Sequence, residues 1–467
     1  VFLEISGLIW SAKGDKPSEA YVRLSQPPAR RIENPVRNGY FLLLGLTSSA
    51  TADPLQTGYE VWREAEAGRG QRYFDAAKPG RVELRIMVDA AEAFPAWQAA
   101  DPIGEFQKPD ALFRTTMDRY AVLLKRYEQF LGMPFEDWGF GHVGSPRFEE
   151  LLIIHRLYVA DGFGRQFKLG LTRLQQDLTA WRAILAEAKT ISLKTMAMIM
   201  LDDDLSLLSK LSQTRVEDKS VVALVETGAR PLTIEEYSLR WPIQHQFVLA
   251  TGRSPSLRLD LSGGEAETRA NQEWLARKAG LIPNAFERVE HPMVKTVLGM
   301  TVESQRMWDA YAAYYEVMIK AVESVRSPLP KLQDVARSSH RTLLETVLRP
   351  LEFEPDWEQF TQRLIETDAR LRLMSLQVLL RKPSVMKTVP GRLAEVGPGF
   401  YDPFTGLPML WSETQGKIYS IGKDRIDDGG DPNFDISVPA VLGPVTPEVP
   451  PVKRRPAKSS PRLQRAV

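Results

Sequence analysis

The run Ala111-Leu-Phe-Arg-Thr-Thr-Met-Asp-Arg-Tyr-Ala-Val-Leu-Leu-Lys-Arg-Tyr-Glu-Gln-Phe-Leu-Gly-Met-Pro134 places Phe113, Met117, Tyr120, Leu124, Tyr127 and Leu131 at steps of three and four residues. Arg114, Asp118, Lys125 and Glu128 fall between them. On a helix of 3.6 residues per turn such spacing gathers the apolar side chains into one stripe, so it predicts one long amphipathic helix, ended by Gly132 and Pro134. The same period returns further along, at Leu171, Leu174, Leu178, Trp181 and Leu185, and again at Trp308, Tyr311, Tyr315, Met318 and Val322. Residues 196–211 are apolar on most sides and predict a central helix, and two more helices are expected over 332–348 and 357–380. Asp53-Pro54 has the residue types of a helix start, with a helix expected through Gly58 to Ala65. Between 213 and 262 the pattern weakens: Val221-Val-Ala-Leu-Val fits strand or helix, and Leu257-Arg-Leu-Asp-Leu alternates as an edge strand does. The expected fold class is mainly α, a packed multi-helix body.

With 467 residues the chain exceeds the size at which one core stops growing, which predicts two or three substructures. Its 60 basic and 59 acidic residues leave no global field for nucleic acid or anionic membrane. The absence of cysteine excludes disulfides, thiol nucleophiles and Cys-containing zinc or iron-sulfur sites. The histidines are His142, His155, His245, His291 and His340, no two within four residues, which excludes an H-E-x-x-H zinc helix. At the start, Val1-Phe-Leu-Glu-Ile-Ser-Gly-Leu-Ile-Trp is apolar but about half the length a bilayer requires. Residues 11–38 follow with prolines at 17, 27, 28 and 35 and read as an extended juxtamembrane linker. Residues 1–38 are expected to be a truncated membrane anchor and linker, with a buried first strand as the other reading of 1–10, and 39–382 the helical body.

Past Leu380 the residues change to Pro383, Pro390, Gly391, Gly397, Pro398 and Gly399. Met409-Leu-Trp and Ile418-Tyr-Ser-Ile then predict two short strands joined by a polar turn, within a small antiparallel β module over 383–438. Asp424, Asp427, Asp428, Asp431, Asn433 and Asp435 fall within twelve positions, with Gly429 and Gly430 allowing sharp reversal. Calcium takes six to eight oxygen ligands from such loops, and without a cation the packed carboxylates repel one another. An EF-hand reading begun at Asp431 meets Ile436 where glycine belongs and Leu442 where glutamate belongs, and a glycine-rich nonapeptide is broken by Pro432 and Phe434. A solvated turn capped by aspartates is the other reading. From Pro439 seven prolines with Lys453, Arg454, Arg455, Lys458, Arg462 and Arg465 predict a disordered tail over 439–467.

The order Asp402-Pro-Phe-x-Gly-x-Pro408, strand, turn, Ile418-Tyr-Ser-Ile-Gly422, then an Asp-rich loop ending Asp435-Ile436, resembles the C-terminal module of type II secretion major pseudopilins over roughly 398–438. The resemblance implies a structural calcium ion in the loop, with Asp424, Asp427, Asp428, Asp431 and Asp435 as its ligands. In place of that family's N-terminal hydrophobic helix this chain has only Val1-Phe-Leu-Glu. The same module, together with Asn38-Gly-Tyr-Phe-Leu-Leu-Leu-Gly-Leu46, is similar to a group of helix-rich bacterial envelope proteins with an N-terminal anchor. That second resemblance implies a periplasmic location, an inner-membrane tether and protein partners in the envelope.

Other clusters carry less. Asp202-Asp203-Asp204 are adjacent carboxylates that point in different directions on a helix and so read as a solvated corner or helix start. Gly162-Phe-Gly-Arg-Gln and Gly263-Gly-Glu lack the lysine of a P-loop. Ser145 near His142, or Glu149-Glu150 with His155, lacks the G-x-S-x-G elbow of a hydrolase, and a lone histidine among aromatic residues is more often a packing group. Glu235-Glu236 and Glu287 with Glu290 are candidate carboxylate pairs whose separation the sequence does not give. The basic tail has no interleaved aromatic residues, which argues against nucleic-acid binding. The expected function is a non-enzymatic envelope scaffold, with a periplasmic hydrolase using a cleft in the helical body as the alternative.

Overall fold

A computed structural model describes residues 16–66, 97, 99–108, 111–141, 146, 148–250, 265–281, 305–323, 357–386 and 388–444. It is mainly α, with a small three-stranded antiparallel sheet near the C-terminus. The helices are α1 (Glu19–Ser25), α2 (Gly39–Leu44), α3 (Pro54–Glu66), α4 (Pro102–Phe106), α5 (Ala111–Arg119), α6 (Ala121–Leu131), α7 (Phe148–Arg165), α8 (Phe167–Glu187) and α9 (Ile191–Thr214). They continue as α10 (Lys219–Gly228), α11 (Ile234–Tyr237), α12 (Arg240–Ala250), α13 (Glu265–Ala279), α14 (Gln305–Glu323), α15 (Trp357–Leu379) and α16 (Val389–Glu395). The strands are β1 (Leu410–Ser412), β2 (Lys417–Ser420) and β3 (Ile436–Pro439). Expectations for the first ten residues, 257–261, 332–348 and the tail beyond 444 lie outside the described residues.

The centre is built from α7, α8 and α9 packed in succession, with α9 also touching α10, α13 and α15. The all-round apolar character of 196–211 has this cause: Met196, Met200, Leu201, Leu207, Leu208 and Leu211 are all buried, against helices on several sides. Burial of each such side chain contributes about 1.5–3 kcal/mol. The stretch expected as one helix over 111–131 is two, α5 and α6, with Tyr120 at φ −101° and ψ 13° between them. Tyr120 N still donates to Thr116 O and Leu124 N to Tyr120 O, so the apolar stripe keeps its phase through the bend and the period does not register it. Val221 to Val225 are helical because Asp218 caps α10, its Oδ1 accepting from Ser220 N at 2.8 Å and Val221 N at 3.3 Å.

Residues 16–38 are not an extended linker throughout. Ser18 Oγ accepts from Tyr21 N and starts α1, whose Tyr21 and Leu24 are buried against α12 and α14. Gln244 on α12 donates to the carbonyls of Arg23, Leu24 and Gln26. The prolines at 17, 27 and 28 bound this short helix rather than exclude it. Next, α2 and α3 pack backbone to backbone, since a Cβ on Gly45 would lie 1.9 Å from Pro54 O and one on Gly58 1.8 Å from Phe41 O. Asn38 ties the pair to the body, its Oδ1 accepting from Tyr40 N and Glu136 N and its Nδ2 donating to Glu136 O.

The sheet order is β1-β2-β3, with Trp411 opposite Ile418 and Ile418 opposite Val438. It rests on α15, which has two apolar faces. Trp357, Phe360, Leu364, Leu371, Met374 and Val378 enter the central core, while Leu373, Leu376 and Leu380 join Leu393, Met409 and Ile418 beneath the sheet. Arg372 donates to Tyr401 O and Gln377 to Pro439 O, both at 2.6 Å, so the module is fastened to the body by partly buried polar contacts as well. No described helix is long and apolar enough to cross a membrane.

Candidate functional site

Where α6, α7, α8 and α9 meet, the core contains a polar cluster. His155 (α7), Asp177 (α8) and Asp204 (α9) have no exposed surface. Each sits on its helix's apolar side: Asp177 lies between Leu174 and Trp181, and Asp204 between Leu201 and Leu208, at steps of three and four residues. Packing the three helices therefore brings the polar groups together. His155 Nδ1 is 2.7 Å from Asp177 Oδ2, and Tyr127 of α6 donates to Asp177 Oδ1 at 2.6 Å. Trp181 Nε1 in turn donates to the Tyr127 hydroxyl at 2.8 Å. On the other side of the imidazole, Nε2 is 3.3 Å from Asp203 Oδ2 and 3.7 Å from Asp204 Oδ1. Arg156 grips Asp203 with two hydrogen bonds, at 2.7 and 2.5 Å, and lies over the Trp97 ring.

Burial alone would push the His155 imidazole down, but the charges of Asp177 and Asp204 and the hydrogen bonds to Asp177 and Asp203 hold it well above its ordinary value. Burial and the adjacent Asp177 carboxylate push Asp204 well above the usual carboxylate range, against the pull of His155. Asp203 goes the other way: burial raises it, but the hydrogen bonds and charges of Arg156 and His155 bring it down to about 2. Neither oxygen of Asp204 meets a donor in good hydrogen-bond geometry, and His155 Nε2 has only the long 3.3 Å approach to Asp203 Oδ2. Among the described residues, His155, Asp177 and Asp204 are the one group of three metal-ligating side chains whose donor atoms all lie within 4.8 Å of one another.

Asp202–Asp204 are thus no solvated corner and no helix start. Asp202 meets Arg363, Arg370 and Thr367 of α15, Asp203 meets Arg156 of α7, and Asp204 faces His155. Sequence reasoning passed over Asp177 altogether, although an acidic residue on the stripe Leu171, Leu174, Leu178, Trp181 and Leu185 is the signal that finds it. The carboxylate pair Glu235-Glu236 is divided: Glu235 is exposed, while Glu236 is buried in a capping box with Thr233 and paired to Arg182 at 2.7 Å. Glu149 and Glu150 occupy the first turn of α7, and the aspartates that meet His155 come from α8 and α9. His142, Ser145, Gly263, Gly264, Glu287, Glu290, His291 and His340 lie outside the described residues.

The aspartates of the β2–β3 loop serve mostly their own backbone. Asp424 Oδ1 accepts from Ile426 N, and Asp431 Oδ1 from Asn433 N and Nδ2. Asp427 Oδ1 accepts from Gly429 N and from the Tyr419 hydroxyl at 2.9 Å. Asp435, only 4% exposed, accepts through Oδ2 from the backbone N–H groups of Asp428 and Gly430. Its Oδ1 is buried without a hydrogen-bond partner. Burial, reinforced by Asp428 and Asp427 and opposed by those two N–H groups, holds Asp435 above the usual carboxylate range. Gly429 and Gly430 have φ of 70° and 86°, the left-handed turn that glycine permits.

Comparison with protein-family models, curated proteins and solved structures finds no match for this chain.

Proposed function

We propose that the chain is a non-enzymatic scaffold of the bacterial cell envelope, whose C-terminal β module docks a protein partner while a structural calcium ion orders its Asp-rich loop. The observation that carries this reading is that, although Ile234 of the body is the most exposed, most of the exposed large apolar side chains among the described residues belong to the C-terminal segment. Leu407, Ile426 and Phe434 of the module are 65%, 59% and 62% exposed, with Leu410, Val385 and Met386 also outward. Apolar side chains held out on a module that is itself firmly fastened to α15 fit a docking element. Asp435 Oδ1, buried beside Asp427 and Asp428 without a donor, supports a cation in the loop. A substrate cannot reach His155, which has no exposed surface, and this favours a scaffold over a hydrolase. The periplasmic, tethered location rests on the resemblance of the two ends of the chain to envelope proteins.

The test is photocrosslinking in the source cells, with the crosslinker at Phe434 and, for comparison, at the exposed Val22 of α1, followed by cell fractionation. The expected result is a discrete adduct from position 434 alone, recovered with the envelope and weakened by a calcium chelator. Recovery in the cytosol, or identical products from both positions, overturns the reading.

A further inference from the structure

We propose that Trp62 and Trp138 form a cation-binding box for an arginine side chain of a protein partner, and that Arg30 of this chain occupies the box as an internal competitor. The box is built by α2, α3 and residues 135–138 and shares no residue with the C-terminal module. The two indole rings stand 5.1 Å apart at 66° and so form a notch, with the buried Phe41 ring 5.0 Å from Trp138 and 5.9 Å from Trp62. Its walls are fixed before any ligand arrives: Trp62 Nε1 donates to Trp138 O at 3.0 Å, and α2 meets α3 backbone to backbone at Gly45 and Gly58. Arg30 Cζ sits 4.0 Å from the Trp138 ring centroid and 5.1 Å from that of Trp62, where the negative ring faces attract a cation. Glu66 Oε1 lies 3.7 Å from the same guanidinium. A flat cation stacked on an indole with a carboxylate at its edge is the arrangement that a guanidinium fills better than an ammonium does.

Little holds Arg30 in place. Its side chain is half exposed, residues 27–34 around it have no regular structure, and Glu66, its one ion-pair partner among the described residues, is exposed too. The residues that follow are fastened separately, since Arg31 N and Ile32 N donate to the Glu136 carboxylate and the Arg31 side chain pairs with Glu187. Rotation of one side chain therefore opens the box while the backbone stays anchored. Trp62 and Trp138, buried with Arg30 over them, then present two flat aromatic faces to solvent, and a second guanidinium covers them at the least cost.

The experiment titrates the full chain and its Arg30→Ala variant with N-acetyl-argininamide, with N-acetyl-lysinamide as the control, and follows the tryptophan indole N–H signals by NMR. The expected result is saturable binding of the arginine derivative to Arg30→Ala, with shifts at Trp62 and Trp138 alone and weaker binding of the lysine derivative. The parent is expected to bind about tenfold more weakly, because Arg30 must first leave the box. Adding Glu66→Gln to Arg30→Ala is expected to weaken binding of the arginine derivative further while the fold is kept. A folded Arg30→Ala chain with no saturable shift, shifts spread over the other indoles, equal affinity in the parent, or equal affinity for the two derivatives overturns the proposal and leaves Arg30 as a packing contact.

Discussion

Two runs of carboxylates, Asp202–Asp204 on α9 and Asp424–Asp435 between β2 and β3, use the same side chain in opposite ways. Successive residues of a helix point about 100° apart, so the three aspartates of α9 face three directions. Because α9 is central, each direction holds another part of the core: α15 for Asp202, Arg156 of α7 for Asp203, and His155 for Asp204. In the loop the chain turns back on itself, and the aspartates find backbone N–H groups two to seven residues away. Density of charge in the sequence therefore says little about a site. What matters is whether the backbone carries the groups toward distant partners or toward their own neighbours.

The most severe way to break this contrast is Asp203→Ala. It leaves Arg156 and His155 facing a vacated position inside the core, and removing one member of a buried ion pair costs about 3–5 kcal/mol. Asp428→Ala, which removes a side chain from the exposed loop, is expected to change stability by about 0.5 kcal/mol or less when no calcium is present. Chemical denaturation of both variants measures the difference directly. Equal losses would mean that the Asp203 contacts are not the sealed network described.

How much of this was legible depended on whether a signal was local. Helical period gave α6, α8, α9, α14 and α15, since each keeps a continuous apolar face, and the residue types at 409–411 and 418–421 gave β1 and β2. Tyr120 breaks a helix without breaking its stripe, so period could not report it. The α1 helix was hidden because its prolines flank it and only its packing against α12 and α14 reveals a core element. The His155 cluster is assembled from three helices, and no local spacing joins residues 155, 177 and 204. The polar residue on each apolar stripe was visible in the sequence, but their convergence was not.

A buried cation on the same helix sharpens the contrast from the other side. Lys194 of α9 is 1% exposed and donates to Leu185 O at 2.9 Å, near the C-terminal end of α8. Burial pushes its ammonium down to about 7, against a weak pull from the charge of Glu236. The folded chain thus gives up a proton that the unfolded chain keeps to about pH 10.4, so the unfolded state binds more protons between these values and stability rises with pH there. The penalty is complete below about pH 7. Stability is expected to climb by about 1.4 kcal/mol per pH unit from pH 7 toward 10, and Lys194→Met is expected to flatten that slope and to be more stable than the parent at pH 6. Denaturation midpoints of the two proteins across that range decide it.

Calcium offers a smaller and reversible handle on the loop. With the ion present the parent is expected to unfold a few degrees higher than with chelator, and Asp427→Asn combined with Asp428→Asn is expected to remove the difference. A shift that survives these substitutions would place the calcium elsewhere.

A small and strictly local effect is expected at Asp431. Its Oδ1 accepts from both Asn433 N and Asn433 Nδ2 at 2.9 Å, but the neighbouring turn is also held by Asp431 O, which accepts from Phe434 N and Asp435 N. Asp431→Ala removes only the side-chain bonds at a partly solvated site, where water replaces the lost acceptor, so about 0.5–1 kcal/mol is the expected cost. Asp431→Asn keeps an oxygen in the same place and is expected to cost less still. Amide hydrogen exchange at Asn433 and Asp435 resolves so small a change, with faster exchange confined to the loop as the expected outcome. Faster exchange spreading into β2 or α15 would instead show that the loop aspartates act as one unit with the sheet, as the buried aspartates of α9 do with the core.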